Sequence, residues 1–122
     1  MLEGALLLAA LVAVDVKAGD PKAGEAVYSR CLACHSLAYH RTGPRHCGLF
    51  GRRAGAAPGF EEYSAAMKRS RLVWNEKTLN RFLDNPMKAV PGTTMTYAGV
   101  QDAKERADLI AYLKQEGKCP AS

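Results

Sequence analysis

Cys31-Leu32-Ala33-Cys34-His35 constrains this chain more than any other stretch. Two thiols sit three residues apart, close enough to share one side of a turn, and an imidazole follows at once. Three chemistries use such a spacing. A thioredoxin-like redox pair would follow a strand in an α/β chain, and no strand alternation persists anywhere here. A four-ligand zinc site needs a second Cys/His pair at close spacing, and His46-Cys47 are adjacent and stereochemically poor for that. The third chemistry is covalent haem attachment, in which both thiols add across the two vinyl groups and His35 lies over the iron as an axial ligand. An iron that passes electrons without binding small molecules needs a sixth ligand, and Met67, Met87 and Met95 are the thioether candidates once Met1 is removed. Met67 and Met87 lie within or beside helical patterns, where packing or exposure accounts for them. Met95 ends Val90-Pro91-Gly92-Thr93-Thr94-Met95, a loop stiff enough to deliver sulfur to a fixed point. His/Met ligation raises the reduction potential because the soft thioether favours ferrous iron.

A chain of 122 residues, 48% hydrophobic and 24% charged, has room for one compact domain. Aromatics are only 7%, so a core made purely of side chains would be thin and something else is expected to fill it. The net charge of +5 suits an acidic partner, a nucleic acid or a membrane surface. Nucleic acid has neither a motif nor aromatic interleaving in its favour. Residues 4–14 form an uncharged apolar run, too short for a bilayer, which needs about 20 such residues. The run matches the hydrophobic part of a secretory signal, and Val16-Lys17-Ala18 supplies small residues where a signal peptidase reads. No Lys or Arg precedes it and Glu3 does, so a buried first helix and an uncleaved anchor stand as alternatives. The reading is export to the periplasm with cleavage after Ala18: 1–18 a secretory segment, 19–122 a single domain. Removing Glu3, Asp15 and Lys17 takes 17 basic and 12 acidic residues to 16 and 10, and the net charge to +6.

Helix punctuation starts at once. Asp20-Pro21 reads as an N-cap followed by proline at the first helical position, and Ala23, Val27, Arg30/Cys31 and Cys34 follow at helical spacing. Asn75 caps a helix carrying Leu79, Phe82 and Leu83 that Asn85-Pro86 ends. Asp102-Ala103-Lys104-Glu105 reads as a capping box; Ala103, Ala107, Ile110 and Leu113 form the apolar stripe behind it, and Gly117 stops the helix. A short helix around Tyr63–Arg69 is weaker. Residues 36–60 hold five glycines and two prolines with little periodicity. The fold class is all-α, with ordered loops wrapped around a bound group.

The motifs also occur in a characteristic order: Gly24, Cys31-x-x-Cys34-His35, Arg41-Thr42-Gly43-Pro44, Gly48-Leu49-Phe50-Gly51-Arg52, Pro58-Gly59-Phe60, Trp74, Pro91-Gly92-Thr93-x-Met95, Ala98-Gly99 and Asp108-Leu109-Ile110-Ala111-Tyr112-Leu113-Lys114. From Asp20 to about Glu116 this resembles the class I cytochromes c of the mitochondrial and α-proteobacterial soluble type. The resemblance implies a monomeric electron-transfer protein, not an enzyme, with one covalently attached haem c on Cys31 and Cys34 and iron held by His35 and Met95. It also implies that the carbonyl of Pro44 fixes the His35 ring, that Arg52, Tyr63, Ser64, Trp74 and Thr93 surround the propionates, and that Gly24 lets the first and last helices cross against Leu109 and Tyr112. Phe60, Leu79, Leu83 and Leu113 fall to the core.

Four departures from that pattern matter. Phe82 stands where similar proteins carry Tyr, so a donor to the ligand sulfur is lost and an altered potential is expected. Met67 replaces a polar residue and dries the propionate side. His46 occupies a position usually held by Leu beside the haem, read as a satisfied or partly exposed histidine in preference to an alternative ligand; His40 is expected to tie one loop to another. Cys47 and Cys119 lie outside the haem motif, and an oxidising compartment favours their pairing over two free thiols. The resemblance places the two positions near each other, closing a loop of 72 residues (119 minus 47) with roughly 4 kcal/mol of stabilisation.

Similar proteins dock through lysines around the haem edge. Here Arg30, Arg41 and Lys88 remain near that edge, Met87, Thr94 and Gln101 stand where lysines are common, and Arg52, Arg53, Lys68, Arg69 and Arg71 are expected elsewhere on the surface. The implied partners are redox proteins with an acidic patch: a cytochrome bc-type complex, a terminal oxidase, a photosynthetic reaction centre or a periplasmic dehydrogenase, reached by transient docking to a membrane complex. Apolar contact through Met87 and Ala98 makes the expected salt dependence shallow. A haem enzyme or gas sensor with an open sixth position is the alternative from another class, and the mitochondrial intermembrane space is the alternative location.

Overall fold

Asp20 opens the first helix of the computed structural model, which describes residues 18–120, so all of the expected secretory segment but Ala18 lies outside the described residues. The Asp20 carboxylate accepts from the Lys22 N–H at 3.0 Å ahead of Pro21, and α1 runs Pro21–Tyr28. It is shorter than its apolar spacing predicts: a 3₁₀ turn, Ser29–Cys31, takes over before the C-x-x-C-H stretch. The remaining helices are α2 (Ala65–Arg69), α3 (Glu76–Asp84), α4 (Pro86–Ala89) and α5 (Ala103–Glu116). Among the described residues there is no strand, only an isolated antiparallel bridge between Arg53 and Val73.

The caps match their residues. Asn75 and Thr78 form a reciprocal capping box on α3, and Asn85 both ends α3 and caps α4 through the Lys88 N–H. At α5 only one arm of the expected box forms: Asp102 accepts from the Glu105 N–H at 2.9 Å, while the Glu105 side chain pairs with Arg30. That ion pair is exposed, so it adds little to stability.

α1 and α5 cross at backbone contact. A Cβ on Gly24 would lie 1.9 Å from the Asp108 carbonyl oxygen and 2.8 Å from Tyr112 Cβ. Leu109 is fully buried beneath the crossing. Leu79, Phe82 and Leu83 of α3 and Ile110 and Leu113 of α5 complete one core with Trp74, Val90 and Val100. Phe60, expected in that core, is only partly buried; it stacks edge-on against Tyr63 at 4.8 Å. Arg106 clamps α5 to α3 and to the preceding loop, donating to Asn80 Oδ1, Asp84 Oδ1 and the carbonyls of Val100 and Gln101.

Asp108 is buried at this crossing, where it accepts from Lys104 Nζ and from the Asp20 N–H, each at 2.8 Å. The Lys104 ammonium and then that N–H hold its carboxyl below the usual carboxylate range. A depressed folded-state value means the contribution is complete above the unfolded value near 4 and is lost as pH falls through the folded one. Asp108→Asn keeps an acceptor for Asp20 but loses the charge. It is expected to cost about 1 kcal/mol at neutral pH, with the gap from wild type closing below about pH 4 in denaturant titrations.

The sulfurs of Cys47 and Cys119 are joined, with Cα atoms 4.7 Å apart, and the Gly48 N–H donates to the Gly117 carbonyl beside them. The bridge closes 72 residues and fastens the tail after α5 to the loop that carries His46. Replacing both cysteines with serine is expected to cost about 2–4 kcal/mol in denaturant unfolding. Alkylation of the unreduced wild-type protein should label neither Cys47 nor Cys119; labelling of both would contradict the bridge.

Candidate functional site

The helices and the glycine-rich loops enclose a cavity of about 450 Å³. Cys31, Cys34, His35, Pro44, Arg52, Tyr63, Ser64, Trp74, Phe82, Thr93 and Met95 all line it, although they span 65 positions of sequence (31 to 95). At roughly 24 cal/mol per Å³ a void of this size would cost on the order of 10 kcal/mol, comparable to the whole stability of a domain. Such an interior is shaped for a large, mostly apolar occupant.

The 3₁₀ turn and the residues after it present the motif. The Cys34 and His35 N–H groups both donate to the Cys31 carbonyl, at 3.1 and 2.9 Å, which brings the two thiols and the imidazole onto one turn. Cys31 is partly buried and Cys34 exposed, and both thiols are free. Burial pushes the Cys31 thiol up to about 11. His35 is buried, and its Nδ1–H donates to the Pro44 carbonyl at 2.8 Å, leaving Nε2 as the free ring nitrogen. Burial lowers its pKa, partly countered by that hydrogen bond, so it is a neutral imidazole suited to metal. Gly43 makes the close approach: a Cβ there would lie 2.2 Å from His35 Cε1.

Met95 follows α4 on a braced loop. The Thr93 N–H donates to the Val90 carbonyl at 3.0 Å, and Thr93 Oγ1 accepts from the Met95 N–H at 3.2 Å. Gly92 takes φ +93°, a left-handed conformation that turns the chain there. Of the rival thioethers, Met87 is exposed, while Met67 is buried and lines the cavity.

The polar lining is specific. Arg52 donates from Nη1 to the Cys47 carbonyl and from Nη2 to the Arg45 carbonyl, and its Nε is buried without a partner. Arg52 is therefore partly buried in the site and not, as its charge suggests, on the outer surface. Tyr63 accepts from the Ala57 N–H at 3.1 Å, and Ser64 caps α2 through the Met67 N–H at 3.0 Å. Trp74 packs on Phe82 with ring centroids 5.0 Å apart. A partly buried guanidinium with an unused donor, in one lining with two hydroxyls, fits a carboxylate-bearing occupant. Free thiols, a neutral imidazole, a thioether and this cationic corner are together the donor set that a haem requires.

Two features escaped the sequence reading. Arg45, whose carbonyl orients Arg52, also has a buried, unpartnered Nε. Tyr28 lines the cavity and bonds His46 Nδ1 through its hydroxyl at 3.0 Å; its place three residues before Cys31 was the available signal. His40 ties its loop as expected: Nδ1 accepts from the Arg45 N–H at 3.1 Å and Nε2–H donates to the Pro58 carbonyl at 2.7 Å.

Comparison with known proteins places the chain in a family. The family model described as cytochrome c matches residues 21–116. The chain is 46% identical over 101 residues to a cytochrome c of Sesamum indicum, covering 80% of this chain and 90% of that one. It is 45% identical over 114 residues to a cytochrome c2 of Rhodomicrobium vannielii, covering 89% and 90%. Its fold is similar to that of cytochrome cH from Methylobacterium extorquens, with a TM-score of 0.77, 42% identity, and coverage of 80% of this chain and 99% of that one.

Proposed function

This chain belongs to the cytochrome c family, whose members covalently bind one haem c and carry electrons rather than catalyse reactions, and on that premise we propose that His35 and Met95 are its axial iron ligands. Cys31 and Cys34 carry the thioether attachments. When bound, the haem supplies a one-electron iron couple that the polypeptide lacks.

The chain's own residues do the rest. The Pro44 carbonyl holds the His35 tautomer that offers Nε2. The Thr93–Val90 and Met95–Thr93 hydrogen bonds keep the thioether in place through electron gain and loss. Arg52, Tyr63 and Ser64 would hold the propionates, while Trp74, Phe82 and Met67 would keep water out. Phe82 brings no hydroxyl to the sulfur. The observation that carries this reading is the convergence of Cys31, Cys34, His35 and Met95 on one cavity whose cationic corner has an unused donor.

The partners are redox proteins. Met87, which is 46% exposed, and the exposed Ala98 give them an apolar landing, while Arg30 is already engaged with Glu105. Export to the periplasm is supported by the apolar run 4–14 ahead of Val16-Lys17-Ala18 and by the Cys47–Cys119 pairing, which suits an oxidising compartment. Among the described residues no helix is long and apolar enough to cross a membrane.

Absorbance spectra in both redox states, taken with the intact mass of the matured protein, test the proposal. One covalent haem, a thioether-to-ferric charge-transfer band, and a ferrous spectrum unmoved by carbon monoxide are expected. A colourless product with the mass of the bare chain, or rapid carbon monoxide binding, would overturn it.

A further inference from the structure

His46 stacks on His35. The ring centroids are 4.2 Å apart and the planes differ by 24°. Two further contacts hold that ring: Nδ1–H donates to the Pro44 carbonyl, and Gly43 crowds Cε1. The hydrogen bond acts at Nδ1 in the plane of the ring, whereas Gly43 lies over its face, since a Cβ there would be equally 2.7 Å from Nδ1 and Nε2. The hydrogen bond restrains the ring through one atom, Nδ1, that lies off the axis through Nε2. The flat face of His46 adds a restraint on the ring plane as a whole.

His46 is itself held from behind. Its Nδ1 is bonded to the Tyr28 hydroxyl at 3.0 Å, and the two rings meet edge-on at 5.6 Å. Tyr28 is buried and packs in turn against Tyr112 of α5 at 5.3 Å. The line of support therefore runs from the helix crossing through Tyr28 and His46 to His35. An aliphatic side chain at position 46 would fill the volume, but it would offer neither a plane to stack against nor an atom for Tyr28 to hold.

We propose that His46 is a positioning residue: by stacking on His35 under the hold of Tyr28, it sets the rotation of the axial imidazole about its bond to iron and so tunes the potential and electronic axes of the haem. The proposal rests on His35 being the ligand. Imidazole orientation governs which metal d orbital the ring overlaps, so the ferric spectrum reports it directly, whereas fold stability does not.

The test uses the haem-loaded protein with H46L, H46F and Y28F. The readouts are the hyperfine-shifted haem methyl resonances, the ferric electron paramagnetic g values and the equilibrium reduction potential, with the unfolding midpoint alongside. H46L is expected to keep both axial ligands but to rearrange the methyl resonances and move the potential. The move corresponds to a roughly two- to tenfold change in the electron-exchange equilibrium, or about 18–59 mV at 59 mV per decade. Y28F should move the same readouts in the same direction by less, and H46F, which restores a flat ring, should return them towards wild type. Unchanged methyl shifts and potential in H46L and Y28F would overturn the proposal, as would changes in H46L and H46F alike that merely track lost stability. A high-spin ferric signal in H46L would overturn it too, because His46 would then be a ligand itself. Wild-type protein without the His/Met signatures would instead defeat the underlying ligand assignment, before any variant is compared.

Discussion

Replacing Met95 with alanine is expected to lower the reduction potential by on the order of 0.2–0.3 V, within the span of about 0.8 V that axial ligands command. The thioether favours ferrous iron, and nothing else on the Val90–Met95 loop brings a soft donor to the cavity. At 59 mV per decade the change weakens electron uptake from a fixed donor by three to five orders of magnitude, roughly. It should also abolish the thioether-to-ferric charge-transfer band and admit carbon monoxide to the ferrous protein. The decisive control is Met67→Ala, because Met67 is buried and also lines the cavity, whereas Met87 is exposed. If the band survives M95A and disappears in M67A, the sixth ligand has been misassigned.

The second large effect concerns the helix crossing. Gly24→Val is expected to destabilise the haem-loaded protein by about 4 kcal/mol or more, because the added Cβ would lie 1.9 Å from a backbone oxygen of α5, which no side-chain rotation relieves. The two helices must separate, and with them goes the burial of Leu109 and the Asp108 contact to Asp20. Denaturant unfolding followed by haem absorbance and by far-ultraviolet circular dichroism measures it. Gly51→Ala is the comparison: φ is +82° there but no atom lies within 4 Å of the new Cβ, so about 1 kcal/mol of backbone strain is expected. Equal losses in the two variants would show that the crossing is looser than its geometry.

Much of the site was legible before any coordinates. Cys31, Cys34 and His35 are local chemistry on one turn, and the missing strand pattern and missing second Cys/His pair exclude the rivals that share their spacing. The caps at Asp20, Asn75 and Asp102 were equally plain, since an N-cap is a contact between residues two or three apart. Less legible were interactions that local choices compete for. Periodicity carried α1 through Cys34, yet the 3₁₀ turn intervened, because the motif must close on the Cys31 carbonyl. Glu105 had two partners within reach, the Asp102 N–H and Arg30, and took the one that spacing does not show. Phe60 has a core residue's composition but lies on a loop that sets it only half inside.

The amino-acid order by itself determined the covalent chemistry, the helix ends and the stiffness of the Met95 loop, because each depends on atoms only a few residues apart. Tertiary structure alone decided that His46 lies flat on His35, that Tyr28 holds it, that Arg52 keeps a buried Nε without a partner and that Cys47 meets Cys119. Those contacts join segments whose separation is fixed by how α1, α5 and the loops close around a shared interior, and no periodicity encodes a distance of that kind.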